Sequence, residues 1–216
     1  NETTIIQSRH NGLMQEVERL TGNVGEVDEA AARRAAVKDS LLEDIDGLIA
    51  GIETSIPLTS PRYAYDTRLT RARELRAQVE AAGWITPQLH KAYTDLQLKE
   101  LELTQTTEYF FAELPFVDES GQKVQKWAEC LMRGNWAVYA RALDGKGVAV
   151  YKNVGSAETP EWGFVYELDK ARRQRIAREI LDARSPNFEE QVAALASDQV
   201  RKELGTKPLV GEFGTL

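Results

Sequence analysis

The chain of 216 residues has one cysteine, two histidines and two methionines. A single thiol, Cys130, excludes an intrachain disulfide framework and any zinc site built on cysteines. Two histidines, His10 and His90, are too few and too far apart for the three- or four-ligand set that zinc usually takes. No run of about 18 apolar residues is present, so no segment is long and apolar enough to span a bilayer. Positive charge is also short: 27 Lys and Arg against 34 Asp and Glu leave a net charge of −7, which argues against a general nucleic-acid binder while leaving room for a local basic patch. The motifs of common chemistries are missing too. There is no Gly-x-Ser-x-Gly elbow, and Gly145-Lys146-Gly147 lacks the spacing of a phosphate loop. The first residue is Asn1 with no apolar signal-like stretch after it, which fits a mature secreted chain and fits equally a chain whose start lies upstream.

What the sequence does have is a seven-residue apolar repeat holding one register from Ile6 to Ile52. One row is Ile6, Leu13, Leu20, Val27, Arg34, Leu41 and Leu48. The other, four residues on, is His10, Val17, Val24, Ala31, Lys38, Ile45 and Ile52. Eleven of these fourteen positions are apolar, the exceptions being His10, Arg34 and Lys38. A strict period of seven keeps its stripe on a partner helix only if the helices supercoil. A solitary helix would leave the stripe in water, so within a coiled-coil helix over residues 1–56 the segment 6–52 is expected to self-associate or to dock on a partner helix. The main rival is an intramolecular arrangement with this helix packed on residues 66–104. Arg34 and Lys38 should face solvent, pair with acids such as Glu29 or Asp39 on a partner, or mark where the coil opens. Gly22 and Gly25 leave room for a break into two helices.

After Ile56 the prolines Pro57 and Pro61 bracket a loop. The spacing predicts a second helix over 66–82, with Leu69, Ala72, Leu75 and Val79 on one face and Gly83 as its stop. A third begins at Thr86 as N-cap with Pro87 in its first turn. These form a helical hairpin over 57–107. From Glu108 the pattern changes to strands, and eleven of the seventeen aromatic residues fall between Tyr109 and Tyr166, as a half-buried pleated face requires. Strands are expected at 109–114, through Val124, Trp127 and Leu131, at 136–143, at 148–154 and at 162–168. Asp118–Gly121 and Asp144-Gly145 are the turns. Asp169 caps a basic helix to Arg184, and Ser185-Pro186 opens another through Leu204. The fold class is therefore α+β: a heptad helix, a helical hairpin, a small antiparallel sheet over 108–168, C-terminal helices over 169–205 and a tail, 206–216.

Chemistry is hard to find. Glu108, Glu113, Glu129 and Glu167 are acids on strands or at their ends, and two facing carboxylates would suit glycoside hydrolysis; no motif pairs any two of them. Trp127, Trp136, Tyr139, Tyr151, Trp162, Phe164 and Tyr166 suit a ligand-binding face, or more simply a sheet core. Lys170, Arg172, Arg173, Arg175, Arg178 and Arg184 make a basic helix, read as a solvated face or an anionic partner's surface. No catalytic, cofactor-binding or metal residues are assigned. The residues expected at an interface are Leu13, Val17, Leu20, Val24, Val27, Leu41, Ile45, Leu48 and Ile52, with Leu209 and Phe213 of the tail.

The order of features from the coiled coil to the basic helix resembles an uncharacterised family of bacterial periplasmic coiled-coil proteins. That family is encoded beside TonB-type energy-transduction systems with ExbB- and ExbD-like motor proteins. The resemblance runs over about residues 40 to 180. It is carried by Arg68-Leu69-Thr70-Arg71-Ala72-Arg73-Glu74-Leu75, by Ala92-Tyr93-Thr94-Asp95-Leu96-Gln97 and by Arg133-Gly134-Asn135-Trp136-Ala137-Val138-Tyr139. Ala142-Leu143-Asp144-Gly145-Lys146, with Trp162 to Leu168 behind it, is the most specific part. The heptad segment is shorter than is usual for the family, Ile56-Pro57-Leu58 only loosely matches its apolar-Pro-apolar hinge, and the chain beyond Ser185 has no counterpart. The resemblance implies a periplasmic, non-enzymatic, oligomeric adaptor or scaffold working with an ion-driven motor or an outer-membrane partner, and it supplies no catalytic residues. A structural component of a virion or surface appendage, and a cell-wall hydrolase, are the alternatives.

Overall fold

The computed structural model describes the backbone of residues 2–203 and the side chains of residues 12–195. It is α+β, and the chain divides into two compact units. The first holds the chain up to Pro57 together with Arg62–Gln105. The second holds Leu58–Pro61 and the described chain from Thr106 onward.

In the first unit, α1 (Glu2–Thr54) is one unbroken helix, so Gly22 and Gly25 do not divide it. At about 1.5 Å per residue its 53 residues reach about 80 Å. Ser55 ends it, turning its hydroxyl onto the carbonyl of Ile52 (2.7 Å), and Pro57 prevents continuation. Helix α2 (Tyr65–Ala81) lies against the second half of α1, and α3 (Pro87–Gln105) returns beside it. Thr86 caps α3 as expected, accepting from the Leu89 N–H at 3.2 Å. The hairpin is not free-standing. Leu41 and Ile45 pack with Leu75, Val79 and Tyr93, and Ile52 packs with Leu69 and Ala72. Arginines on α2 add polar staples: Arg76 to Asp46 and Arg73 to Glu53 on α1, and a two-pronged Arg68–Glu100 pair with α3.

In the second unit, five antiparallel strands follow one another in sheet order: β1 (Thr107–Val117), β2 (Lys123–Arg133), β3 (Ala137–Ala142), β4 (Val148–Asn153) and β5 (Trp162–Val165). The first two pair over their full length and are longer than their aromatic content indicates. Both turn sites hold. Gly121 and Gly145 have φ of +83° and +74°, which side-chain-bearing residues rarely adopt, while Asp118 and Asp144 accept from backbone N–H groups two residues on. The second hairpin is looser than a two-residue turn, because pairing stops at Ala142 and resumes at Val148.

The sheet curls. Tyr166, just past β5, donates to the carbonyl of Pro115 in β1 (2.8 Å), and Phe116 sits so close over Gly147 that a Cβ there would lie 2.8 Å from its ring. Small residues line up on the inner face: Ala112, Ala128 and Ala142 align in one row, and Cys130, Ala140 and Ala149 in the next, where Phe110 of β1 stands beside Cys130 and fills the space they leave. On the outer face, Ile176 and Ile180 of α4 (Lys170–Asp182) pack on Leu131, Ala137 and Val150. Asp169 caps α4, accepting from the Arg172 N–H at 2.7 Å. The last helix, α5 (Phe188–Glu203), begins with Phe188 near Phe111. No described helix is long and apolar enough to cross a membrane.

Candidate functional site

The heptad rows of α1 meet two different fates. From Leu41 onward the stripe is satisfied within the chain: Leu41, Ile45 and Ile52 are 6% exposed or less, and Leu48 is partly buried against the same cluster. For these four residues the occupant is the chain's own α2 and α3 rather than a second molecule. Helix–helix packing is what the repeat demanded, and α2 is tethered close enough in sequence to supply it. Leu13, Val17, Leu20, Val24 and Val27 are between 49% and 67% exposed. This half of the stripe has no cover within the described chain. Leu209 and Phe213 lie outside the described residues, as does the rest of the tail.

The division falls at the two charged positions. Lys38 reaches across to α2, where its ammonium donates to the carbonyls of Glu80 and Ala82, both at 2.8 Å. The last carbonyls of a helix lack partners within it and carry the negative end of its dipole, so a cation there completes the cap. The seam lysine thus pairs with backbone rather than with Glu29 or Asp39. Arg34, one turn earlier, is exposed. Above it the outward side of the helix carries Arg19 paired to Glu16 at 2.6 Å and Arg33 near Glu29 at 3.6 Å. The aliphatic row is continuous, with Met14 at its flank, also exposed. This surface has the pattern of a buried face and the exposure of a free one.

The acids singled out on the sheet are engaged or solvent-facing. Glu129 is fully buried on β2 and is ringed by donors. Arg184 grips both its oxygens (2.5 and 2.8 Å), Arg141 across the strand pair donates at 2.9 Å, and the Tyr109 hydroxyl donates at 2.9 Å. Burial alone pushes its pKa up, but the bonds from Arg184 and Tyr109 outweigh that and hold it below the usual carboxylate range. A carboxylate so committed is a poor proton acceptor and a good clamp. It fastens the start of α5 to the sheet, with the Arg184 guanidinium 3.8 Å above the Phe188 ring. This cluster joins residues 55 apart in sequence, and no local pattern announces it. Glu108 accepts from the Ser60 hydroxyl, whereas Glu113 and Glu167 are exposed.

The aromatic residues do not form one binding face. Tyr139 packs under α4, Trp136 lies in the β2–β3 turn edge-on to it, and along β4 and β5 Tyr151 stacks with Trp162 and meets Phe164 at a tilt, while Phe164 stacks with Tyr166. A groove of about 580 Å³ opens where β1 meets β4 and β5, lined by Phe116, Val148, Phe164 and Tyr166 with Lys146 and Arg173. Its apolar lining is the closure of the curled sheet. Cys130 is buried, and burial raises its thiol pKa, leaving it a poor nucleophile. Among the described residues, no three His, Cys, Asp or Glu side chains group to hold a metal. Comparison with family models, with curated proteins and with solved structures gave no match to this chain.

Proposed function

We propose that this protein is a non-enzymatic adaptor or scaffold that works by docking its long helix on another helix. The observation that carries the reading is the uncovered half of the stripe, Leu13 to Val27, on a helix whose other half is anchored in a folded unit. An aliphatic row left in water is costly by about 25 cal/mol per Å² of apolar surface, so its retention over five heptad positions has a use in binding. The resemblance over residues 40–180 supports a periplasmic setting, beside a TonB/ExbB/ExbD-type motor, with the folded units carrying contacts to motor or outer-membrane components. The anchored helix suits that role, because force passes along a helix only if one end is held.

The test is recovery of partners from crosslinked cells, using wild type and a Leu20→Asp/Val24→Asp variant. Both substitutions fall on exposed positions, so the variant folds. Recovery of motor or outer-membrane proteins with wild type, lost in the variant, is the expected result. Recovery of only cytosolic proteins or of a virion overturns the periplasmic reading, and equal recovery with both chains overturns the role of the seam.

A further inference from the structure

We infer that the uncovered stripe pairs with the same stripe of a second copy of this chain, in parallel and in register, as a two-stranded coil that forks at Arg34 and Lys38. The inference rests on the reading of the seam as an interface and names its occupant.

The spacing assigns the rows. Val17 to Leu20 is a step of three and Leu20 to Val24 a step of four, so Val17, Val24 and Ala31 stand at a, while Leu13, Leu20 and Val27 stand at d. Val17 and Val24 at a with Leu13 and Leu20 at d follow the β-branched-a, leucine-d pattern that favours two strands over three or four, and only Val27 and Ala31, nearest the fork, depart from it. That segregation has meaning only where layers are homotypic, valine on valine and leucine on leucine. Parallel, in-register pairing produces such layers; antiparallel pairing mixes a with d in every layer and would leave the sorting without purpose.

The lower half of the helix gives a second argument. The same two rows continue without a change of phase into the packing of α1 on α2 and α3, so the surface proposed for the second copy is an extension of an established helix interface. In a parallel pair the cations at Arg34 and Lys38 would face their own copies, and like charges in a seam force the helices apart there. That is the level at which Lys38 has already turned to the end of α2 and at which each chain's own hairpin takes over the stripe. The flanks present no conflict: Glu16 faces Thr21 of the other copy and Asn23 faces Asp28, while Glu16 is already paired to Arg19.

The glycines agree with the same orientation. Gly12, Gly22 and Gly25 fall at positions c, f and b, on the side turned away from the seam, so none of them interrupts the layers.

The experiment places single cysteines at Leu13, Leu20 and Val27 in the full chain, each as Leu13→Cys, Leu20→Cys or Val27→Cys. Cys130 is buried and does not compete. After mild oxidation, covalent dimers at all three positions, with a sedimentation mass of two copies for wild type, are expected. Crosslinking at no more than one of the three overturns the parallel register, and a mass of three or four copies overturns the stoichiometry. A monomer that forms no crosslink overturns self-pairing while the partner-recovery experiment still reads whether a different chain docks there. Failure of both sinks the seam as an interface.

Discussion

One helix, one repeat and two environments: Ile45 and Val24 occupy the same heptad row of α1, yet the first is fully buried and the second mostly in water. Pattern is a property of the chain, while burial is a property of what stands opposite. Below Lys38 the chain supplies its own cover, and the stripe becomes core. Above it the stripe stays available. The contrast separates residues that hold the fold from residues left exposed, although both read alike in the repeat.

The strongest way to break this contrast is a charge in each half. Ile45→Asp puts a carboxylate among Leu41, Leu75, Val79 and Tyr93. Lost apolar burial and the cost of an unpaired buried ion together exceed about 5 kcal/mol, so the helical unit should fail to fold. Leu20→Asp, on the exposed half, should leave urea unfolding of the same unit within about 0.5 kcal/mol of wild type when both are measured at a dilution where the chains are single. Circular dichroism during urea titration reads both. Comparable losses would show that the upper stripe is core after all.

A buried charge elsewhere calibrates the next effect. Glu129→Ala leaves Arg184 and Arg141 without their shared acceptor, and breaking a buried pair from one side costs about 3–5 kcal/mol. The second unit should lose that stability with the helical unit's own packing untouched. The clamp also titrates. Because the folded pKa of Glu129 lies below its unfolded value, its contribution is complete above the unfolded pKa and is lost as pH falls through the folded one. Acid should therefore weaken the hold on α5 in wild type and change nothing further in Glu129→Ala, as followed by Phe188-region hydrogen exchange.

At the boundary itself the expected effect is smaller. Lys38→Met keeps the aliphatic stem and removes the ammonium from the Glu80 and Ala82 carbonyls. Losing a charged cap at a half-exposed helix end should cost about 1–2 kcal/mol in thermal unfolding. No loss would mean that solvent replaces the lysine and that the boundary is set by the length of α2 alone.

These contrasts mark how far the sequence could be read. Local signals held: Thr86 and Asp169 cap where their neighbours require a cap, Gly121 and Gly145 take the left-handed turns, and the α+β order follows from periodicity changing near Glu108. The stripe itself was legible to the residue. Its occupant was not, because a heptad row states that a helix must lie opposite without stating whose. The Glu129 clamp was illegible for a related reason. Its four members come from β1, β2, β3 and the connection between α4 and α5, and each taken singly is an ordinary polar residue.

The smallest predicted effect sharpens the comparison most finely, because the same substitution should register in different ways in the two halves. Gly22 and Gly47 are both helical, and a Cβ added at either meets nothing within 4 Å. Alanine in place of glycine inside a helix gains about 0.8–1 kcal/mol from backbone entropy in both places. At Gly47 the helix is locked to α2 and α3, so Gly47→Ala should raise the global unfolding free energy of the unit by that amount. At Gly22 the helix is exposed all round in a single chain, so it opens locally without unfolding the rest. Gly22→Ala should leave global unfolding unchanged and slow amide exchange around residue 22 by about fivefold. If the helix is paired at the concentration used, its opening is coupled to dissociation, and the same substitution should instead strengthen the dimer. Dilution distinguishes the two: protection near residue 22 that falls with concentration, beside protection near residue 47 that does not, is the outcome the divided helix demands. Concentration-independent protection at both would place a permanent cover over the upper stripe.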